Sequence, residues 1–340
     1  MGGVRAAVLS TQRPHLELAE VPEPEPAAQE VVLRVTGCGI CGSDLHLASQ
    51  LAPPGSVLGH EIAGVVSTLG ADVDTRRWRP GTAVVARPFG GCGRCDQCRR
   101  GRADHCAQFQ LIGMERPGGF AELVAVRQDE LFALPAAVAD DEQPLVEPLA
   151  VMRRAFRRGQ VSAADTVAVL GAGPIGLAAV AWARAIGVEA IAVSEPSALR
   201  QDLATRLGAS AVFDPGAEAV TAGIAEATGG GPSVVIECSG RPGLIEQAVE
   251  MAAVDGRVVV VGICPQTDEI FPFWAISKEL DVRFSIYYGR EDFTDTIEAL
   301  AAHRIDALPM VTETIPLERL PERFSRLERD PDAGKVIVRP

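Results

Sequence analysis

The chain has 340 residues, long enough for about two domains, and its 47% hydrophobic and 23% charged residues describe an ordinary soluble protein. Its 32 basic residues against 45 acidic ones leave a formal charge of −13, which counts against nucleic acid or an anionic membrane as a main partner. Residues 1–20 lack the basic start, apolar core and cleavage site of a secretory signal, and Ala6 stands where a myristoylation signal needs Ser or Thr. A cytoplasmic location is therefore expected, with the eight cysteines as metal ligands or free thiols rather than disulfides.

The chain opens with short predicted strands at residues 4–9, 16–20 and 30–35, the last two separated by VPEPEPAAQ, whose prolines suit an extended surface turn. Cys38-Gly39-Ile40-Cys41-Gly42-Ser43-Asp44-Leu45-His46 follows, and then Gly59-His60-Glu61 before a strand at 62–66. A thiolate, an imidazole and carboxylates in two nearby loops suit Zn²⁺, which accepts S, N and O ligands. On these residues alone, Cys38 and Cys41 fit a redox dithiol or two buried thiols equally well, and His60 a satisfied core histidine. Cys92, Cys95, Cys98 and Cys106 are more specific, spaced C-x2-C-x2-C-x7-C in a Gly- and Arg-rich loop. Four thiolates this close can enclose one tetrahedral Zn²⁺ with no open position, a structural site; an iron–sulfur cluster also uses four. Arg94, Arg99, Arg100 and Arg102 then offset a negative metal–thiolate centre on a solvated loop. Further on, Glu147 falls in an apolar helix start, where a carboxylate needs a partner. Arg153, Arg154, Arg157 and Arg158 in the same helix predict an exposed basic face.

The stretch from Thr166 to Pro196 has the strongest local logic. An apolar strand at 167–170 leads into Gly171-Ala172-Gly173-Pro174-Ile175-Gly176, then a helix closing at Gly187, and a strand at 190–193 delivers Glu195. Gly171 permits a tight turn, Gly173 lets the backbone approach a pyrophosphate, and Gly176 lets helix pack on strand. Glu195 can accept from adenosine ribose hydroxyls and would repel a 2′-phosphate, so the pattern reads as a dinucleotide site. A membrane span is excluded by the three glycines and the proline at one end and Arg184 at the other. The α/β alternation continues with a helix at 199–207, strands at 211–213, 234–237 and 258–261, and a helix at 244–253. Residues 282–288 predict the last strand of this sheet, 293–303 a helix and 334–339 a final strand that returns to the first domain. Cys238 and Cys264 lack ligand spacing and read as small buried residues.

ICGSDLH, GHEIAGVV, the four-cysteine lobe, GGFAEL, VEPLAV, GAGPIG, ECSG and VVVVGI occur in an order that resembles the zinc-dependent medium-chain dehydrogenases, the alcohol and polyol dehydrogenase family, along nearly the whole chain. The resemblance implies an α/β protein: a GroES-like β-rich catalytic domain at 1–148 with a zinc lobe at 90–107, a Rossmann doubly wound parallel-sheet domain at 149–285, and a return to the catalytic domain at 286–340. It implies a catalytic zinc on Cys41 and His60, with Glu147 or Glu61 as the third protein ligand, and a structural zinc on Cys92, Cys95, Cys98 and Cys106. Asp44 would orient His60, Ser43 would take the alcohol proton and pass it through the cofactor ribose and His46 to solvent, and Cys38 would be a bystander. Zinc would act as Lewis acid and NAD, rather than NADP, as hydride acceptor. The cofactor would rest on Gly171, Gly173, Pro174, Ile175, Gly176, Glu195, Arg200, Val261, Gly262, Ile263 and Ile286. Arg200 complicates the preference for NAD, since an arginine near that ribose can meet a phosphate.

Leu47 stands where polyol dehydrogenases commonly carry an aromatic residue, and Ile286 where they carry an arginine. The expected substrate is therefore a less hydroxylated secondary alcohol or ketone, such as a vicinal or cyclic diol. The alternatives are a polyol dehydrogenase, a biosynthetic amino- or deoxy-cyclitol dehydrogenase, and a non-catalytic NAD-binding regulator. A homodimer or homotetramer is expected through the last strand of the Rossmann sheet.

Overall fold

Runs such as VAVL, IAVS and VVIE have no polar face to turn to water, so they are stable only where both sides of a sheet are covered. The computed structural model, which describes residues 2–216, 220–329 and 332–340, places them in such a sheet. Strands Val167–Leu170, Ile191–Ser194, Ala211–Phe213, Val234–Glu237, Arg257–Val260 and Asp281–Phe284 are all parallel, in the order 3-2-1-4-5-6. Alternate side chains leave opposite faces. Val167 and Val169 pack with Leu177, Trp182, Met152 and Phe156 from helices Pro174–Ala185 and Val146–Gly159. Ala168 and Leu170 pack on the other side with Ile224, Ala248 and Val249. The strand order reverses between Val167–Leu170 and Val234–Glu237, and the crevice at their carboxyl ends is where an open parallel sheet takes a ligand.

The rest of the described chain is largely β. Glu30–Gly39 lies at the centre of a seven-stranded sheet, paired antiparallel with Glu61–Leu69, Leu123–Arg127 and Lys335–Arg339. The C-terminal strand meets it at Cys38 and Gly39, so residues nearly three hundred positions apart share one short segment. This sheet also supplies Ala63, Val85 and Phe132 to the core that holds Val167 and Trp182, which joins the two sheets in one packed interior. Among the described residues no helix is long and apolar enough to cross a membrane.

Three expectations need correction. The last parallel strand stops at Phe284, because its partner ends at Val260; the Ser285 amide makes a final bond to the Val260 carbonyl, and Tyr287 then turns into the left-handed region at φ +56°. The arginines of Val146–Gly159 do not form a free basic face. Arg153 pairs with Asp295 at 2.8 Å and Arg157 with Glu291 at 2.7 Å and Asp292 at 2.9 Å, tying this helix to Arg290–Ala301. Cys264 is half-buried and outside the core, whereas Cys238, also half-buried, packs against it.

Candidate active site

Cys41 precedes the short helix Gly42–His46, whose Asp44 is fully buried and folds back on the loop. Asp44 Oδ2 accepts from the Cys41 amide at 2.9 Å and Oδ1 from the Gly59 amide at 3.2 Å. That carboxylate thus fixes both loops that carry the expected ligands. Gly59 sits at φ +92°, and a Cβ there would lie 2.6 Å from the Phe120 ring, so only glycine brings the loops this close. Asp44 Oδ1 also lies 3.2 Å from His60 Nδ1, close enough to pair with the imidazole, and Nε2 faces Ser43 Oγ at 3.3 Å. Ser43 Oγ donates to Cys41 Sγ at 3.0 Å. His46, at the far end of the helix, is exposed.

The donor atoms of Cys41, His60 and Glu61 all lie within 4.8 Å of one another. Glu61 Oε1 accepts from buried Lys335 Nζ at 2.5 Å, and the same ammonium donates to the Ile40 carbonyl at 3.0 Å. Glu61 Oε2 is buried without a partner, and a Cβ on Gly39 would fall 1.9 Å from it. A buried carboxylate oxygen left bare is costly unless something positive meets it. Burial alone would push the His60 imidazole down, yet the Asp44 charge and then the Cys41 sulfur hold it well above its usual range. Burial likewise works against the Lys335 charge, and Glu61 outweighs it. Sulfur, imidazole and carboxylate converging in a pocket this hospitable to positive charge fit a zinc ion.

Glu147 borders this set without joining it. Its Oε1 accepts from the buried Tyr288 hydroxyl at 2.7 Å. Burial pushes the Glu147 carboxyl up to about 7; His60 pulls it down and the Glu61 charge adds to the rise. Burial and then the Glu147 charge lift the Tyr288 phenol well above its usual range, so it remains a donor. Cys38 is buried in the apolar core and outside the cluster, its thiol pushed up first by burial.

The sulfurs of Cys92, Cys95, Cys98 and Cys106 form a second cluster within 4.8 Å. Backbone amides of Cys92 and Gln108 point at Cys106 Sγ, each at 3.2 Å, and those of Cys95 and Cys98 at Cys92 and Cys95 sulfurs. The amides of Ala107 and then Cys98 lower the Cys95 thiol to about 6, while burial raises Cys98 to about 12. Four thiols cannot all ionise at this spacing without a cation among them, and a closed four-sulfur set suits structural zinc.

In the parallel sheet, Gly171 adopts φ +89°, and a Cβ on Gly176 would sit 1.8 Å from the Gly171 carbonyl oxygen. Gly173 starts helix Pro174–Ala185 with no side-chain cap and open space where a Cβ would be, leaving the Ile175 and Gly176 amides for a phosphate. Glu195 is placed at this loop, although its oxygens already accept from the Ala172 amide at 2.6 Å and the Ser197 amide at 2.9 Å. Arg200 Nε donates to the Ala333 carbonyl at 2.9 Å. Glu237 Oε1 accepts from the Ser239 and Gly240 amides at 2.7 and 2.8 Å, and its backbone carbonyl from those of Val261 and Gly262, so it shapes the segment that runs on to the exposed Ile263. Ile286 is also exposed, while Leu47 is buried.

Sequence reasoning missed three contributors: Lys335, Tyr288 and Glu237. Lys335 left a readable trace, a lone cation opening the apolar strand Lys335–Arg339. Tyr288 left none, because a strand drawn through residues 282–288 gives it no special direction.

Comparison with known proteins agrees with this geometry. Residues 27–136 match the alcohol dehydrogenase GroES-like domain, and residues 174–302 match the zinc-binding dehydrogenase family. The 2-dehydro-3-deoxy-L-galactonate 5-dehydrogenase of Pseudoalteromonas atlantica is 34% identical, over 92% of this chain and 92% of its own. Sorbitol dehydrogenase of Bacillus subtilis is 31% identical over 99% and 97%. The crystal structure of a zinc-binding dehydrogenase from Sinorhizobium meliloti bound to NADP superposes with a TM-score of 0.92 at 32% identity, covering 100% of both chains. The chain belongs to the zinc-dependent medium-chain dehydrogenases, the alcohol and polyol dehydrogenase family.

Proposed function

We propose that the protein transfers a hydride between NAD and a secondary alcohol or the matching ketone. The observation that carries this reading is the convergence of Cys41, His60 and Glu61, with Glu61 Oε2 buried and bare, beside a hydroxyl able to accept a proton. Zinc held there would supply a Lewis acid at the alcohol oxygen, and NAD on the Gly171–Gly176 loop would supply the hydride acceptor. Asp44 holds the two ligand loops and presents His60 with Nε2 toward the site. Ser43 Oγ, 3.3 Å from His60 Nε2, would accept the alcohol proton as it gives up its own, and exposed His46 at the end of the same helix would be the group that hands a proton on to water. Lys335 holds Glu61 by one oxygen, while the other lies buried against Gly39 with no hydrogen-bond partner and would be free to meet the metal. A non-catalytic regulator has no use for this proton-handling set.

The reading favours NAD because Glu195, beside the loop that would hold the pyrophosphate, would repel a 2′-phosphate on the adenosine ribose, and because Arg200 Nε is committed to a backbone carbonyl. It favours a sparingly hydroxylated substrate because Leu47 and Ile286 stand where polyol dehydrogenases commonly carry an aromatic residue and an arginine, and neither can hydrogen-bond a sugar hydroxyl. The names of the sorbitol and galactonate relatives point the other way, toward a polyhydroxylated substrate. Initial rates over simple secondary alcohols, vicinal and cyclic diols, sorbitol and xylitol, each with NAD and NADP, decide between them. We expect simple alcohols or diols to lead, and NAD to exceed NADP by about tenfold in kcat/KM. A lead for sorbitol or xylitol would favour the polyol reading, and a higher kcat/KM with NADP would overturn the cofactor assignment.

The same reading includes a cytoplasmic homodimer or homotetramer. Asp281–Phe284 is an edge strand, and Phe271, Phe273, Trp274, Ile276 and Phe284 are exposed in or just before it, more apolar surface than a free edge tolerates. Sedimentation is expected to give a dimer or larger, and Ile276→Glu a lighter species; a wild-type monomer would refute this.

A further inference from the structure

Two carboxylates approach the Cys41–His60 pair, and the chain treats them differently. Glu61 has one oxygen on Lys335 and the other buried and bare. Glu147, deep at the start of helix Val146–Gly159, takes a hydrogen bond from the Tyr288 hydroxyl and lies outside the cluster of close donor atoms. We propose that Tyr288 is a positioning residue that tethers Glu147 at the edge of the metal site, so that Glu61 and not Glu147 completes the set with Cys41 and His60. The proposal rests on the metal-centre reading given above and adds to it the choice between the two carboxylates.

The tether is rigid because the phenol ring has little freedom. Tyr288 is 1% exposed, stacks on Phe293 with centroids 5.6 Å apart and planes 19° from parallel, and meets Phe89 at 5.1 Å. Its direction is set by Tyr287, whose φ of +56° is unusual for a bulky side chain and persists where the surroundings over-determine it. Here they do: the Tyr287 ring packs against Phe109 at 4.9 Å and Phe89 at 5.3 Å, so consecutive tyrosines are both locked into one aromatic cluster. Moving Glu147 toward Cys41 would break the 2.7 Å bond and strand a buried hydroxyl. Glu61 faces no such obstacle, since its second oxygen has nothing to give up.

Cobalt in place of zinc makes the choice visible, because Co(II) visible bands weaken as coordination rises from four to five. In Tyr288→Phe we expect Glu147 to be released toward the ion, with weaker cobalt bands and about tenfold tighter zinc retention against a competing chelator. Both changes should vanish in Tyr288→Phe/Glu147→Ala. In the native background Glu147→Gln should leave the cobalt spectrum alone, whereas Glu61→Gln should alter it. A wild-type cobalt spectrum and wild-type zinc retention in folded Tyr288→Phe would overturn the proposal. So would a spectral change in Glu147→Gln as large as that in Glu61→Gln, an arm that decides the matter even if Tyr288→Phe fails to fold. Failure of a second metal ion to bind the wild-type chain at all would refute the metal centre itself, and is told apart by metal content alone.

Discussion

Replacing His60 with alanine is expected to lower kcat/KM for the best alcohol by about a thousandfold or more, while the fold and NAD binding stay near wild type. A thousandfold is about 4 kcal/mol of transition-state stabilisation, the scale expected when a Lewis acid is lost. His60 is one of three close donors, and its removal leaves a sulfur and a carboxylate that is already shared with Lys335. The local structure should survive, because Asp44 keeps its bonds to the Cys41 and Gly59 amides without the imidazole. The dinucleotide loop at Gly171 to Gly176 makes no use of His60, so NAD titrated by intrinsic fluorescence should bind as before. Zinc per chain should fall from about two to about one. Equal turnover by wild type and variant would remove His60 from the chemistry, and a wild type that turns over no alcohol would revive the regulator reading.

Much of this site could be read from residues alone because its parts are local. The spacing of Cys92, Cys95, Cys98 and Cys106 already forces four sulfurs together, and Gly171-x-Gly173-x-x-Gly176 between strand and helix has one conformational use. Cys41, Ser43, Asp44 and His46 lie on one short helix and the residue before it, so their neighbourhood needs no knowledge of tertiary structure. The partners of the two carboxylates were hidden because they are distant in sequence: Lys335 lies 274 positions from Glu61, and Tyr288 lies 141 from Glu147. No periodicity encodes such pairings. The fate of residues 285–289 was hidden for another reason, since apolar and aromatic side chains suit a strand equally well and only the end of Arg257–Val260 denies them a partner. The arginines of Val146–Gly159 looked solvated because their acidic partners sit on a helix that begins more than 130 residues later.

The claim on which the account turns is that one of two zinc ions is needed for chemistry and the other only for structure. The two sites should differ in how they yield to a chelator. Four thiolates braced by backbone amides close one site on every side, whereas the other must keep a position open for the alcohol oxygen. Graded dialysis against a chelator should therefore remove the Cys41–His60 ion first, with little change in melting temperature, and harsher treatment should take the lobe ion and destabilise the protein. Zinc content and alcohol-dependent NADH formation measured on the same dialysed samples test this most directly. The account predicts that activity falls nearly to zero as zinc drops from about two to about one per chain and returns when zinc is restored; full activity in samples holding one zinc or none would contradict it.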